Sequence, residues 1–536
     1  MTRWSMVADL RRCVGCQTCT AACKHANATS PAVQWRKVLD LEVGVFPEVG
    51  RVFIPVGCMH CSDPPCMHVC PSTATGQRED GIVTIDYDLC IGCAYCAVAC
   101  PYQARYKVGV PRPAYGRDGQ MRIEKHREEP ARVGVAQKCT FCSDKIDYGL
   151  ANGLTPGIDP DATPACVNSC IAGALHFGDK EDPNSNISKL LDENRHFRMH
   201  EELETNSGFY YLWEKALSKP ASESDNDDTE AEAELSPSLG VGGVGAAAPW
   251  LQQHWDWRAA ANFIGGGTGT GMMVAASVSA LFGTPIWPFA LLALIFVAGG
   301  LSMVWTELGR PWRALNVIFH PQTSWMTREA LVAPPLFISG LAAAWYNSAL
   351  IGVLAALFAL LFLYCQARML HGGKGIPIWR ENLSIPLLVS TGLVEGAALM
   401  TVASAYLYPY VTQTVVNVML LLVIVRSSIW RAYRRKLANN APDKANAVLK
   451  RAHIPLTVIG SIIPFALVIA GLLMPEIYHL VFPLAALSAL VGGWMMKFII
   501  VTRAAYNQGY AITHTPERAA GSGGGQGAQP GWKEAV

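Results

Sequence analysis

Residues 58–105 read CMHCSDPPCMHVCPSTATGQREDGIVTIDYDLCIGCAYCAVACPYQAR, and this stretch decides the fold. It contains Cys58-x2-Cys61-x4-Cys66-x3-Cys70-Pro71, then Cys90-x2-Cys93-x2-Cys96-x3-Cys100-Pro101. The spacing C-x2-C-x2-C-x3-C-P holds 4Fe–4S cubanes, four thiolates to each. Working outward, Cys13-x2-Cys16-x2-Cys19-x3-Cys23 precedes the stretch, and Cys139-x2-Cys142 with Cys166-x3-Cys170 follows it. Sixteen of the 17 cysteines thus fall into four blocks of four. That set suffices for four cubanes, and a row of cubanes conducts electrons.

Structural zinc takes its ligands from two C-x2-C pairs and has no use for the third and fourth cysteines of each run. Disulfides between cysteines two apart on a tight loop are poorly placed. In two-cluster ferredoxins the fourth cysteine of each run ligates the other cluster. That rule pairs Cys58, Cys61 and Cys66 with Cys100, and Cys90, Cys93 and Cys96 with Cys70. It also pairs Cys13, Cys16 and Cys19 with Cys170, and Cys139, Cys142 and Cys166 with Cys23. Pro71 and Pro101 follow the inner fourth cysteines, whereas Lys24 and Ile171 follow the outer ones.

The chain of 536 residues exceeds one ordinary domain. Its formal net charge of +1 implies no nucleic-acid partner. A mean hydropathy of +0.21 hides two unlike halves. Residues 1–220 are polar and cysteine-rich, and 258–503 are almost continuously apolar. Residues 221–257, acidic and then Gly-rich, read as a flexible linker, and 504–536 as a flexible tail. Arg11-Arg12 is followed directly by a cluster cysteine and no apolar segment, so a twin-arginine export signal is not expected.

Eight apolar stretches, near 260–283, 285–305, 329–347, 349–367, 384–406, 412–430, 454–474 and 478–500, are each long enough to span ~30 Å of hydrocarbon. Gly265–Gly267 and Gly299-Gly300 read as close helix-packing sites. Arg310, Arg313, Arg328, Arg368, Lys374, Arg380, Arg426, Arg431, Lys497 and Arg503 fall in alternate loops, on the N-terminal side. The intervening loops near 284, 348, 408 and 476 hold no Lys or Arg. By the positive-inside rule, the cluster half faces the cytoplasm from the inner membrane. His254, His320, His371, His453 and His479 sit at span ends, so no haem is expected. Cys365, alone in the fourth span, reads as a small core residue.

The remaining task for an apolar bundle beside an electron conductor is exchange with a lipid-soluble quinone. Glu307, Arg310, Trp312, Arg313, His320, Trp325, Arg328 and Glu329 cluster between the second and third spans. Quinone reduction needs protons that a carboxylate or imidazole can relay. Glu395, mid-span, is expensive and functional by default.

The cysteine framework closely resembles the iron–sulfur subunit of the dimethyl sulfoxide reductase family of molybdenum enzymes. The second half looks like the matching haem-free, eight-helix anchor. Within it, TELGRPWRALNVIFHPQTSWMTREAL (306–331) corresponds to a family His-Leu-Gly-x-Pro-x-Arg-Ala stretch, with Glu307 where the family has histidine. The resemblance implies an α+β double-ferredoxin domain carrying four 4Fe–4S clusters, fused to an all-α bundle of eight transmembrane helices in contact with lipid and ubiquinone or menaquinone. It also implies a separate catalytic subunit carrying the molybdopterin cofactor, for which this chain has no site. A cytoplasm-facing member resembles the membrane-bound sulfite dehydrogenases, which reduce quinone. Alternatives are a quinol-oxidising reductase module of dimethyl sulfoxide, polysulfide or thiosulfate type, and a phenylacetyl-CoA:quinone oxidoreductase module.

Overall fold

The structure is a computed structural model and describes residues 2–31, 33–45, 48–110, 122, 129–215, 247–514, 526–528 and 531–532. Most of the acidic linker lies outside the described residues.

The cysteine-rich half is built on a four-stranded sheet. Trp4–Asp9 is its spine, antiparallel to Leu175–Asp179 and parallel to Phe209–Lys215, which pairs antiparallel with Asn194–Phe197. All six residues of WSMVAD are buried, because both faces of this strand are covered. Cysteine loops carrying short helices, such as Pro65–His68 and Tyr95–Ala99, fill the space beyond the sheet. The hairpin Arg36–Val45/Glu48–Gly57 lies beside the outer loops, with Gly15 pressed against the Phe53 ring.

Among the described residues, seven helices of the second half are long and apolar enough to cross a membrane: Trp287–Glu307, Trp325–Tyr346, Ala349–His371, Ser384–Leu407, Pro409–Asn440, Asp443–Leu473 and Pro475–Arg503. The helix Trp257–Ala280 packs among them but is not one of the seven, its middle being the polar, small-residue run GGGTGTG. Those glycines let backbones meet. A Cβ on Gly265 would lie 2.7 Å from Phe296 O, and one on Gly300 would lie 3.0 Å from Gly266 N. Gly299, expected beside Gly300 in the contact, instead faces open space.

Two positively charged residues assigned from sequence to loops belong to the helical interior. Arg426 (1% exposed) sits within Pro409–Asn440 and donates to Gly460 O, a carbonyl in the π-turn Val458–Ile462, where the regular ladder is interrupted. Lys497 (1% exposed) is inside Tyr478–Phe498 and meets Glu395.

The tail is also tighter than its composition suggests. Beyond Arg503 the chain returns to the cysteine-rich half: Tyr510 N donates to Ala247 O (2.9 Å) and Tyr510 Oη to Tyr102 O (3.2 Å), and the His514 ring stacks on Trp213 at 4.3 Å. The apolar and amide side chains of 505–512 drive this docking ahead of the Gly-rich end.

Candidate electron path and quinone pocket

The sixteen thiols come together in four sets. Burial, then Cys19, Cys170 and Cys16, raises the Cys13 thiol above its ordinary value. Burial and the neighbours Cys139, Cys166 and Cys142 do the same to Cys23. Cys61 is raised by burial, Cys58, Cys66 and Cys100, and Cys93 by burial, Cys96, Cys70 and Cys90. In each of these four cases the sulfurs named fall within one crosswise set. Four mutually repelling, desolvated sulfurs are stable as thiolates only around a positively charged group. Among the described residues no group of three or more His, Cys, Asp or Glu side chains converges tightly enough to hold a single metal ion.

The backbone repeats one device around them. Gly15 (φ 72), His60 (φ 43), Gly92 (φ 72) and Phe141 (φ 55), each just before the second cysteine of its block, are left-handed. Thr73, Gln103 and Gly173 repeat the turn three residues after Cys70, Cys100 and Cys170. Such turns point successive N–H groups inward as an anion nest. Accordingly, Thr75 N donates to Cys70 Sγ (3.5 Å) and Ala174 N to Cys170 Sγ (3.2 Å). Cys23 departs from the pattern: it lies inside the helix Thr18–Asn27 and receives Asn27 Nδ2 at 3.7 Å. The residues fit 4Fe–4S centres.

The Cys90/Cys93/Cys96/Cys70 set sits on the helical half. Gly309 N donates to Gly92 O (3.2 Å), Arg310 N to Ile91 O (3.1 Å), Trp255 Nε1 to Cys93 O (3.1 Å) and Tyr95 Oη to Met369 O (2.6 Å). The approach of Gly92, Gly134 and Gly309 is so close that a Cβ on Gly309 would overlap Gly134 O.

Beneath Cys93 lies a small cavity of about 20 Å³ lined by Trp255, Asn262, Phe263, Glu307, Met326 and Met369 among others. A second, open-sided cavity of about 190 Å³ shares Asn262, Val304, Leu308, Met326 and Met369 with it and adds Trp305 and Glu329. Together they form an apolar groove with two buried carboxylates. Oε1 of Glu307 and Oε1 of Glu329 have no hydrogen-bond partner in the protein, and Glu329 otherwise bonds to Gln366 and Asn262.

Only part of the sequence-predicted site converges here. Of that site, Glu307 and Glu329 line the groove. Trp325 stacks edge-on with Tyr364 beneath the Arg328 and Arg368 guanidiniums. Arg310 is drawn away to Val133 O and Pro130 O, Arg313 to Tyr87 O and Asp88, and Arg328 to Pro321 O and Gln322 O. His320 binds Cys70 O at 2.8 Å. Arg310, Arg313 and His320 join the two halves, because the loop between the spans faces cluster-loop carbonyls rather than lipid, whereas Arg328 braces that loop itself. Trp312 is 88% exposed, and Glu395 is locked with Lys497 away from the groove. Asn262, Gln366 and Trp255 were not singled out from sequence. The available signal was an amide or indole within an apolar span.

The 4Fe-4S dicluster domain family matches residues 49–110. A selenate reductase subunit of Mesobacillus selenatarsenatis is 41% identical over 224 residues, covering 39% of this chain and 72% of that protein. The chain belongs to this family of oxidoreductase iron–sulfur subunits. A sulfite dehydrogenase subunit of Allochromatium vinosum is 35% identical over 228 residues (40% of this chain, 83% of that one). The Hdr-like menaquinol oxidoreductase iron–sulfur subunit 1 of Archaeoglobus fulgidus is 37% identical over 238 residues (39% and 82%). Each match covers about two-fifths of this chain. Its relatives are subunits of multi-subunit oxidoreductases that differ in substrate.

Proposed function

We propose that this chain is both the electron-transfer subunit and the membrane anchor of a molybdenum oxidoreductase, feeding electrons to quinone. The four thiol sets would carry four 4Fe–4S clusters, which supply the electron path from a catalytic subunit on another chain. The observation that carries the reading is the shared cavity of Cys93 and Glu307, which brings the last thiol set and a buried carboxylate to one apolar groove. Glu307 and Glu329 would deliver the two protons that accompany two electrons onto a quinone. Trp255, Met326 and Met369 would hold its ring and exclude water.

The finer parts follow from orientation. With the loop cations inside, the cluster half is cytoplasmic and electrons run from sulfite to quinone, consistent with 35% identity to a sulfite dehydrogenase subunit. The second reading, an outward-facing module that oxidises quinol, is favoured by 41% identity to a selenate reductase subunit.

The test uses the full chain with chemically reduced clusters. A quinone analogue should reoxidise them, and Ala259→Trp, which fills the cavity, should block this. Clusters that stay reduced in excess quinone would refute the site. In the complete complex, sulfite should reduce the clusters. Protease added outside sealed, right-side-out vesicles should spare residues 1–215 in the first reading and cleave them in the second.

A further inference from the structure

Three cations are buried inside the cysteine-rich half: Arg36 (0% exposed), Lys138 (1%) and Arg105 (3%). A buried charge persists only when paired. The groups facing these three are mainly cysteine sulfurs. Arg36 faces Cys166, Cys139, Cys19 and Cys23, spanning the two outer sets. Lys138 faces Cys58, the like-charged Arg105, then Cys139 and Cys66, at the seam between outer and inner sets. Arg105 faces Cys66, Cys96, Cys58 and Cys100, spanning the two inner sets.

Their own hydrogen bonds fix them there. Arg105 Nη2 donates to Cys66 Sγ at 3.0 Å and Nη1 to Thr75 Oγ1 at 2.9 Å. Lys138 Nζ donates to Val83 O and to Cys139 O (2.7 Å). Arg36 Nη2 meets Met6 Sδ at 3.0 Å, and its guanidinium lies 4.9 Å over the Phe209 ring. Arg36 Nε and Nη1, fully buried, have no hydrogen-bond partner in the protein. Unpaired guanidinium donors in a dry interior beside two thiol sets require an anion there.

By the sulfurs each cation faces, the thiol sets fall into an order in which each consecutive pair shares one cation. The order is Cys13/Cys16/Cys19/Cys170, Arg36, Cys139/Cys142/Cys166/Cys23, Lys138, Cys58/Cys61/Cys66/Cys100, Arg105, Cys90/Cys93/Cys96/Cys70, and then the helical half. We infer that Arg36, Lys138 and Arg105 are positioning charges of the electron path, each stabilising the reduced form of the two clusters it separates. This rests on the four-cluster reading. A cubane held by four thiolates is anionic in both redox states and gains one further negative charge with the electron it accepts. A fixed cation between two such anions favours the reduced form of both and offsets their mutual repulsion. Net charge and hydrogen bonds to sulfur are the means by which a protein sets cluster potential.

The experiment is a potentiometric titration of the full, detergent-solubilised chain followed by electron paramagnetic resonance, on Arg36→Gln, Lys138→Gln, Arg105→Gln and the charge-keeping Arg36→Lys, Lys138→Arg and Arg105→Lys. Each glutamine variant should lower two of the four potentials. At fixed ambient potential the reduced-to-oxidised ratio of those two clusters should fall about tenfold, equivalent to 59 mV for a one-electron couple. The other two should keep theirs, and the affected pair should move one step along the row from Arg36 to Lys138 to Arg105. The charge-keeping variants should titrate like the parent. Equal shifts in a glutamine variant and its charge-keeping partner would show that packing, not charge, matters and would overturn the inference. So would a shift shared by all four clusters, or none. Iron content and the number of resonances in the parent chain report separately on the four-cluster reading. A glutamine variant that loses iron while its charge-keeping partner retains it supports a charge requirement in that gap, and loss from both counts against one.

Discussion

Lys497 Nζ stands 2.6 Å from Glu395 Oε2, and the two side chains are 2% and 0% exposed. Thr268 Oγ1 donates to the same carboxylate oxygen at 3.0 Å, and Lys497 also donates to Phe263 O at 2.9 Å. The pair joins three helices: Trp257–Ala280, Ser384–Leu407 and Tyr478–Phe498. Removing one partner strands the other's charge in a dry bundle, at a cost of ~3–5 kcal/mol. Glu395→Gln and Lys497→Met should each lower the thermal midpoint of the detergent-solubilised chain. The double variant should regain most of the loss. Additive losses would show that the two do not act as a pair.

Glu307→Gln keeps size and hydrogen bonding but cannot relay a proton. Quinone reduction should slow roughly 10²–10⁴-fold. Reduction of the clusters by substrate, which occurs upstream, should be unchanged. A normal quinone rate would shift attention to Glu329, which shares the groove.

Iron analysis of the fully loaded chain should approach four atoms for each of the four thiol sets, without stoichiometric zinc. Cys93→Ser should disturb only the resonance of the cluster nearest the helical half. A value near half the expected iron would leave two sets to another role.

A reporter fused after Val536 tests sidedness. With the C-terminal segment docked on the cysteine-rich half, the fusion should report the compartment of that half. A cytoplasm-dependent reporter should be active and alkaline phosphatase inactive. The reverse result would place the clusters outside and favour quinol oxidation.

Burial presses the Lys37 ammonium down to about 8 from its ordinary 10.5. Its Nζ lies 5.3 Å from the ring centres of Trp250 and Tyr510, where the C-terminal segment docks. Between pH 8 and 10.5 the unfolded chain holds this proton more often than the folded one, so this contribution makes stability rise with pH across that window. The urea midpoint for release of the segment, followed by tryptophan fluorescence, should increase from about pH 8 to about pH 10. Lys37→Met should flatten the increase.

The cysteine sets were legible because ligand spacing is written in one short loop at a time, and the crossing rule supplies the remainder. The apolar helices were legible from length and hydropathy. Arg426 and Lys497 were misplaced because their neighbours in sequence look like span ends. What makes them interior residues lies far off in sequence: the Gly460 carbonyl 34 positions after one, and the Glu395 carboxylate 102 positions before the other. The groove was half legible. Glu307 and Glu329 stood out as carboxylates unexplained by loop charge. The loop arginines and His320 were drawn to the wrong task, since no local pattern tells that carbonyls of 68–71, 87–92 and 130–133 will lie opposite them. Arg36, Lys138 and Arg105 carry no motif, and only the fold sets them between sulfurs.

The joint between the two halves has one further consequence. Its acceptors are overwhelmingly main-chain carbonyls, among them those of His68, Val69, Cys70, Leu89, Ile91, Gly92 and Cys93. A carbonyl survives almost any change of its own side chain. The mating surface is therefore keyed to the course of the backbone rather than to its lettering. Apart from the cysteines, Gly92 and Tyr95, side chains on these loops can change without removing an acceptor from the joint, while the Cys90/Cys93/Cys96/Cys70 set keeps its place on the helical half.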